Sequence, residues 1–398
     1  MIIVRIDDVL SFVREFEGWL EGLGVRRRRP DHFGAGDFSV AVFDDQTPEE
    51  ERAAVERGRD WERVKYDADW GAVDWPERFG GRGLPLAFAV ALRTAEQDWE
   101  LPRRNELFAV TQHMIAPTVR DWGTADQVEQ FVRGLLRTDI MACQLFSEPE
   151  AGSDLAAVRA RAVRDGSGWV LSGQKIWSSM ATCAQYGEAI CRSDPDAPKH
   201  AGMTAFLVPL DLPGVTIRPI RQMTAGACFN EVFLDEVRVP DTLRLGPEGG
   251  GWQVALTTLS AERSDSGTLG AGTVGKLLAL ARHRGVSSPA LADEIVQLWI
   301  HDQVLELSNQ RAAAEAQAGL APGAQGSLGK LAATMNMRRT SDVITAMLAD
   351  ELIADTGEWG TFAWTEQVLG APGYRIAGGS DEIQRTIIAE RVLRMPRG

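Results

Sequence analysis

The chain has 398 residues, of which 44% are hydrophobic and 25% are charged, and its formal net charge is −14 at pH 7. At about 150 residues per domain, this length predicts two or three domains with a large buried core. The acidic balance argues against a nucleic-acid partner, because phosphate binding needs a basic surface. No apolar run approaches the ~18 residues that a membrane-spanning helix needs.

The remaining bulk features exclude further classes. The four cysteines form no C-x-x-C pair and the five histidines lack metal-ligand spacing, so we expect free thiols and no metal. The first eight residues carry early acids and no apolar core, which fits neither a signal peptide nor a transit peptide. We therefore expect a cytoplasmic protein.

The first 138 residues are predicted to be mostly helical. Apolar residues recur at helical spacing over 9–23, and Gly24 ends that segment. Thr47, followed by a proline and two glutamates, is typical of a helix start, and Thr124 is typical of another. Residues 86–100 and 117–136 give two more apolar helical segments.

The pattern changes near residue 139. Short runs rich in Val, Ile, Phe and Trp alternate with Gly, Asp and Pro, as in 168–172, 204–208, 215–219 and 230–240. These runs predict strands and turns. From about residue 245 to the end the pattern is helical again, with loops predicted at 284–289 and 319–326. The predicted order is therefore α, then β, then α.

Three sequence blocks are the most informative features of the chain. The first is Gln-Leu-Phe-Ser-Glu-Pro-Glu-Ala-Gly-Ser-Asp at 144–154, and the second is Ser-Gly-Gln-Lys-Ile-Trp-Ser-Ser at 172–179. The third is Gly-Gly-Ser-Asp-Glu-Ile-Gln-Arg at 378–385. Together they resemble the signatures of the acyl-CoA dehydrogenase family, in its bacterial type, and the resemblance extends over most of the chain.

This resemblance implies an α+β fold of three domains. They are an N-terminal helical domain (1–138), a middle β-sandwich or barrel-like domain (139–244) and a C-terminal four-helix bundle (245–398). It also implies FAD bound between the last two domains of a homo- or heterotetramer. The implied reaction is α,β-dehydrogenation of an acyl-CoA to a 2,3-enoyl-CoA, with electrons passed to an electron-transferring flavoprotein.

The resemblance also assigns the flavin contacts. Ser147, with Gln144 and Phe146, would line the pyrimidine side of the ring, Ser179 would contact N5, and Trp177 would lie near the ring and exclude water. Backbone N–H groups and hydroxyls there stabilise charge on the reduced flavin. The small residues Gly152 and Ser153 would let the backbone approach the FAD pyrophosphate or the CoA arm. The alternative for each block alone is a structural turn with a structural tryptophan.

The catalytic base is less directly indicated. Many members carry a glutamate where this chain has Gly378, but a minority, including isovaleryl-CoA dehydrogenase, supply it from the helix after the β domain. Glu262 and Arg263 match the Glu-Arg pair of that minority. Glu262 is thus the expected base, and Asp265 and Glu382 are alternatives. Otherwise Glu262 is an exposed helix residue paired with an arginine.

Several supporting roles follow by the same resemblance. The Gly378 N–H would bond the thioester oxygen, and Arg263 would contact the pantetheine arm. Arg284 would reach the FAD of a neighbouring subunit. Three residues of the third block complete the predicted set: Gly379 for substrate, and Ser380 and Glu382 for FAD.

A glycine pattern at 270–275 satisfies G-x-G-x-x-G, but we do not interpret it as a dinucleotide site. The pattern lies in a predicted helical stretch with no strand before it, and a dinucleotide fingerprint needs a strand, a turn and a helix.

Two other functions stay open at the level of sequence. One is a flavin oxidase or monooxygenase on the same fold, and the other is an FAD-binding partner subunit of a hetero-oligomer. The acyl group is also open: chain length, branching, a steroid side chain, and CoA or a carrier protein as its carrier.

Overall fold

A computed structural model describes residues 5–28, 40, 42–43, 46–265, 270, 272–317, 325–354 and 362–396. Its elements follow the order helices, sheet, helices, which confirms the predicted α+β class. Among the described residues, no helix is long and apolar enough to cross a membrane.

The N-terminal part is built of helices, and side-chain caps set the starts of some of them. Thr47 and Glu50 form a reciprocal capping box, and so do Thr124 and Gln127, which confirms both predicted helix starts. The helices are α1 (Ile6–Gly22), α2 (Pro48–Asp67), α3 (Leu86–Glu96), α4 (Glu106–Ala109), α5 (Ala116–Trp122) and α6 (Ala125–Leu136). A π-helical segment, Val110–Ile115, joins α4 to α5.

The middle part is one sheet of eight strands in the order β6-β7-β3-β2-β4-β5-β8, with β1 paired to β4. Its long strands β3 and β7 pair antiparallel, whereas β1 and β4 run parallel. The strands are β1 (Ala142–Leu145), β2 (Arg161–Asp165), β3 (Gly168–Ser179), β4 (Tyr186–Arg192), β5 (Met203–Pro209), β6 (Val215–Ile220), β7 (Phe229–Pro240) and β8 (Arg244–Leu245).

The C-terminal part is helical. It contains α7 (Gly251–Asp265), α8 (Thr273–Arg284), α9 (Pro289–Gln317), α10 (Gln325–Leu348), α11 (Phe362–Tyr374) and α12 (Asp381–Ile387). Helix α7 begins directly on the sheet: a Cβ on Gly251 would come within 2.9 Å of the Met203 and Thr204 backbone. Residues of the N-terminal helices, the sheet and α7 share one apolar core, which includes Val119, Phe131, Ile190, Leu207 and Val254. This shared core holds α7 against the other two parts.

The expectation of continuous helix around residues 270–275 was wrong. Gly270 and Gly272 have φ of 73° and 80°, a left-handed backbone that ends a helix, and α8 begins only at Thr273. The described element before this turn is the helix α7, not a strand. Residues 266–269, between the two, lie outside the described residues.

Candidate active site

The first two sequence blocks are joined in space by a buried ion pair. Lys175 Nζ on β3 donates to Glu148 Oε1 at 2.8 Å, and both side chains are buried. The same ammonium donates to the Phe146 carbonyl (3.2 Å) and the Ile190 carbonyl (2.7 Å). Glu148 also accepts the backbone N–H groups of Arg159 and Ala160. Because all three ammonium protons and both carboxylate oxygens have partners, this pair can remain charged inside the protein.

Trp177 lies on a bulge in β3. The β3–β7 register shifts between Lys175 and Ser178, and Trp177 has φ of 61°, a region that a bulky residue rarely adopts. The bulge is tied to the first block by the Ile176 N–H, which donates to the Ser147 carbonyl at 2.9 Å. The indole is 56% exposed and packs edge-on against Phe229. A strained backbone that presents an exposed tryptophan is typical of a binding site.

Ser179 ends β3 and meets a carboxylate that the sequence did not indicate. Its hydroxyl hydrogen-bonds with Glu106, the first residue of α4. Glu106 keeps exposed surface, yet desolvation of its carboxyl by the surrounding protein raises the pKa above its ordinary value, although the bond with Ser179 lowers it. Its charge also contributes, after burial, to the high pKa of the Cys228 thiol. An acid therefore lies beside the residue predicted to contact flavin N5.

The predicted pyrimidine side carries an unfilled hydrogen-bonding group. Gln144 Nε2 is buried and has no hydrogen-bond partner among the described residues. Phe146 is buried, and Ser147 follows at the end of β1. An amide donor of this kind fits the carbonyl and nitrogen acceptors of a flavin pyrimidine edge.

The turn after Ser147 is tight and its outer side is open. Glu148 and Ala151 exchange two backbone hydrogen bonds of 3.0 Å. Gly152 and Ser153 are exposed, and a Cβ added to Gly152 would meet nothing within 4 Å. A ligand therefore has room beside this backbone.

The third block is a loop with a fixed backbone. Gly378 and Gly379 have φ of 63° and 85°. Gln384 Nε2 donates to both of their carbonyls (2.9 and 3.1 Å), and Lys330 Nζ donates to the Gly379 carbonyl at 2.8 Å. In the described part of the chain the Gly378 N–H has no hydrogen-bond partner. The loop therefore fixes its carbonyls and leaves the Gly378 N–H available to a ligand.

The residues after this loop have mostly structural contacts. Ser380 caps α12 by accepting the Ile383 N–H, and Glu382 is exposed and near Arg385. Asp381 is buried between Thr334 (2.8 Å) and Arg375 (2.8 Å). None of these contacts brings Ser380 or Glu382 to the Trp177 bulge. At the end of α8, Arg284 is ion-paired with Glu351.

The predicted base lies on α7, which the structure places against β4, β5 and α5. The side chains of Glu262, Arg263 and Asp265 lie outside the described residues. One turn before Glu262 on the same helix lies Thr258, whose side chain is described and hydrogen-bonded.

Thr258 meets a buried acid, Glu188, at the centre of β4. Thr258 Oγ1 lies 2.8 Å from Glu188 Oε1 and 2.9 Å from Thr118 Oγ1, and all three residues are fully buried. Burial raises the pKa of Glu188 to about 8, although the bond with Thr258 lowers it. The sequence could not reveal this acid, because its immediate neighbours in the strand, residues 187 and 189–191, are apolar.

Comparison with known proteins identifies the family. The sequence model of the acyl-CoA dehydrogenase middle domain matches residues 143–237, and that of the C-terminal domain matches residues 249–393. Acyl-CoA dehydrogenase IpdE1 of Mycobacterium tuberculosis is 35% identical over 98% of this chain and 99% of its own length. Acyl-CoA dehydrogenase FadE34 of the same organism is 37% identical over 82% of this chain, which spans only 45% of that longer protein.

Solved structures agree. The Tcur3481-Tcur3483 steroid ACAD superposes with a TM-score of 0.79 at 26% identity, and the match covers 100% of this chain and 100% of that chain. A glutaryl-coenzyme A dehydrogenase, at 20% identity, shares the fold with a TM-score of 0.73 over all of this chain and 98% of its own. The chain is a member of the acyl-CoA dehydrogenase family, whose enzymes are generally FAD-dependent oxidoreductases.

Proposed function

We propose that this protein dehydrogenates an acyl-CoA thioester between Cα and Cβ with bound FAD, and passes the electrons to an electron-transferring flavoprotein. The observation that supports this proposal is the Glu148–Lys175 pair, which together with the Ile176 N–H bond to the Ser147 carbonyl holds the segment of Ser147 next to the segment of Trp177.

FAD, when bound, supplies the hydride acceptor. The protein residues position and shield it. Gln144 Nε2 and the backbone near Ser147 would hold the pyrimidine edge, and Trp177 would cover the ring from water. Ser179 would present its hydroxyl at N5, in competition with its present partner Glu106. Gly152 and Ser153 leave room for the pyrophosphate or the CoA arm, and Arg284, Ser380 and Glu382 are the proposed outer FAD contacts.

For the chemistry, Glu262 would remove the proton from Cα. The free Gly378 N–H would donate to the thioester oxygen and so stabilise the negative charge that develops there. Gly379 and Arg263 would hold the rest of the thioester. A carboxylate is the appropriate base because its pKa rises in a dry site toward the working pH.

The acyl group we propose is branched or bulky. Gly378 has no side chain to fill the space beside the thioester, and one structural neighbour above 25% identity is described as a steroid ACAD. Steroid side-chain thioesters therefore belong in the first substrate panel beside straight and branched chains.

We also propose domain boundaries after residues 138 and 244. Support for the first comes from α6, which ends at Leu136 before β1 begins at Ala142; the second lies within the short strand β8 (Arg244–Leu245), just before α7 begins at Gly251.

We propose that the protein assembles with a second copy or a related chain, as a homo- or heterotetramer. Helix α9 exposes an apolar stripe at spacings of four, four and three residues, with its side chains 41–63% exposed: Val296, Ile300, Val304 and Leu307. An exposed stripe of this kind is typical of an interface. Replacing Val304 and Leu307 with glutamate should lower the mass measured by light scattering; an unchanged mass would exclude this face.

The function is tested by mixing the purified yellow protein anaerobically with the acyl-CoA panel and following the flavin absorbance. Loss of the oxidised band with one class supports dehydrogenation. Rapid reoxidation of the reduced enzyme by O2 would favour an oxidase or monooxygenase. Flavin uptake only after a second chain is added would favour a partner subunit.

A further inference from the structure

A hydrogen-bonded chain of three buried side chains links all three parts of the molecule. Thr118 on α5, Thr258 on α7 and Glu188 on β4 are each fully buried, and their oxygens are 2.9 and 2.8 Å apart. Thr118 Oγ1 donates to the Met114 carbonyl at 2.8 Å. The chain thus ends on backbone at one side and on a carboxyl at the other.

The donors and acceptors along this series of hydrogen bonds favour a protonated, neutral Glu188. If the carboxyl is protonated, it donates to Thr258, Thr258 donates to Thr118, and Thr118 donates to the Met114 carbonyl. Every hydroxyl then has a donor and an acceptor role. If the carboxyl is ionised, Thr258 must donate to Glu188 instead, and the bond to Thr118 then requires Thr118 to give up the Met114 carbonyl.

The surroundings supply no compensating charge. Burial is the largest influence on the Glu188 pKa, and no charged group of the described residues contributes to it. Glu188 Oε2 has no hydrogen-bond partner among the described residues. The elements packed against β4 present Thr258 from α7 and Gln144 from β1 on this face, both uncharged. Lys175, which donates to the Ile190 carbonyl of β4, is already paired with Glu148, and Arg192 on β4 donates to the Lys199 and Ala156 carbonyls. The charged residues of the last turn of α7, which are Glu262, Arg263 and Asp265, have side chains outside the described part. An ionised Glu188 would therefore be a poorly compensated buried charge.

We propose that Glu188, through its hydrogen bond with Thr258, is a positioning residue for α7 and hence for Glu262 one helical turn further on. The role toward Glu262 rests on the proposed function, whereas the role toward α7 does not. Because Glu262 is four residues after Thr258, a shift of this turn moves the base directly. Ionisation of Glu188 at alkaline pH breaks this series of hydrogen bonds and loosens α7.

The sign of the pH effect follows from the direction of the pKa change. The folded protein holds the Glu188 proton up to about pH 8, whereas the ordinary pKa of a glutamate is 4.5. Its contribution to stability is therefore complete below about pH 4.5, falls as the pH rises above that value, and is lost once the pH has passed about 8.

The test compares wild type with Glu188→Gln, whose neutral amide keeps the shape and cannot ionise, and with Thr118→Val as a matched control on the same chain. Hydrogen–deuterium exchange of α7 amides is measured at pH 6 and pH 9. We expect the ratio of wild-type to Glu188→Gln exchange to be more than about tenfold greater at pH 9 than at pH 6. Thr118→Val should retain the wild-type pH dependence, because its Glu188 still titrates.

An infrared difference spectrum, wild type minus Glu188→Gln, gives a direct second readout. We expect a protonated carboxyl band at pH 6 that disappears by pH 9. Equal α7 exchange ratios at both pH values, or no carboxyl band at pH 6, would overturn the proposal. Neither readout needs a substrate, so failure of the proposed dehydrogenation would be seen separately in the flavin assay.

Discussion

Glu148 and Lys175 lie 27 positions apart in the chain and meet as a buried ion pair at 2.8 Å. The contact joins the turn after β1 to β3, and so sets the distance between Ser147 and the Trp177 bulge. A pair that holds the two flavin blocks together predicts that its loss affects both stability and flavin retention.

Lys175→Met should destabilise the protein strongly, because it leaves the Glu148 carboxylate buried without its cation. Loss of one partner of a buried pair costs about 3–5 kcal/mol. Denaturant unfolding and flavin release would measure the effect. The control is Glu150→Gln, two residues after Glu148. Its ion pair with Arg159 is exposed on both sides and should contribute little to stability. Equal stabilities of the two variants would contradict the structural role of Lys175.

Trp177→Gly should weaken FAD binding without lowering the stability of the flavin-free protein. Glycine relieves a left-handed conformation that costs a side-chain residue about 1–2 kcal/mol, and the exposed indole contributes little packing. The flavin-free protein should therefore unfold at the same temperature or higher, while FAD binds more weakly and the reduced flavin reoxidises faster in O2. A large loss of stability without flavin would show that the indole is a core residue instead.

Glu106→Gln should raise the reduction potential of bound flavin. An ionised carboxylate beside Ser179 disfavours the negative charge that reduction places on the ring, and the amide removes that charge. Since the pKa of Glu106 is raised, the difference between variant and wild type should grow as pH rises above the ordinary glutamate range. Redox titrations at several pH values measure it. A constant difference would mean that Glu106 does not titrate near the flavin.

Glu262→Gln should slow reduction of the flavin by substrate by about 10²–10⁴-fold, the usual contribution of a general base. FAD content should not change. Asp265→Asn is the matched control and should reduce at close to the wild-type rate. Stopped-flow absorbance under anaerobic conditions gives both rates. If instead Asp265→Asn is the slow variant and Glu262→Gln is reduced at close to the wild-type rate, Asp265 is the base.

Local signals in the sequence predicted most of the framework. The capping residues Thr47 and Thr124 specify helix starts through their own hydrogen bonds, so they can be identified without tertiary structure. The strands β3, β5, β6 and β7 were also predicted, although β3 extends to Ser179, well beyond the predicted run, because the bulge lets pairing with β7 continue past Trp177.

The site was less predictable where it depends on long-range contacts. Glu106 and Ser179 are on different parts of the fold, and no spacing rule links them. Glu188 lies in a strand that is buried on both faces, so alternation gives no sign that its side chain meets α7. The turn at Gly270 and Gly272 was missed because small residues are compatible with a helix until their φ values are known.

The central claim is that bound flavin is reduced by an acyl-CoA at a site containing Glu262. The most direct measurement is anaerobic mixing of wild type and Glu262→Gln with straight, branched and steroid acyl-CoAs, followed by flavin absorbance. The account predicts loss of the oxidised band in wild type with a branched or steroid thioester, and a rate lower by orders of magnitude in Glu262→Gln. A wild-type flavin that no thioester reduces, or a variant that is reduced as fast as wild type, would contradict it.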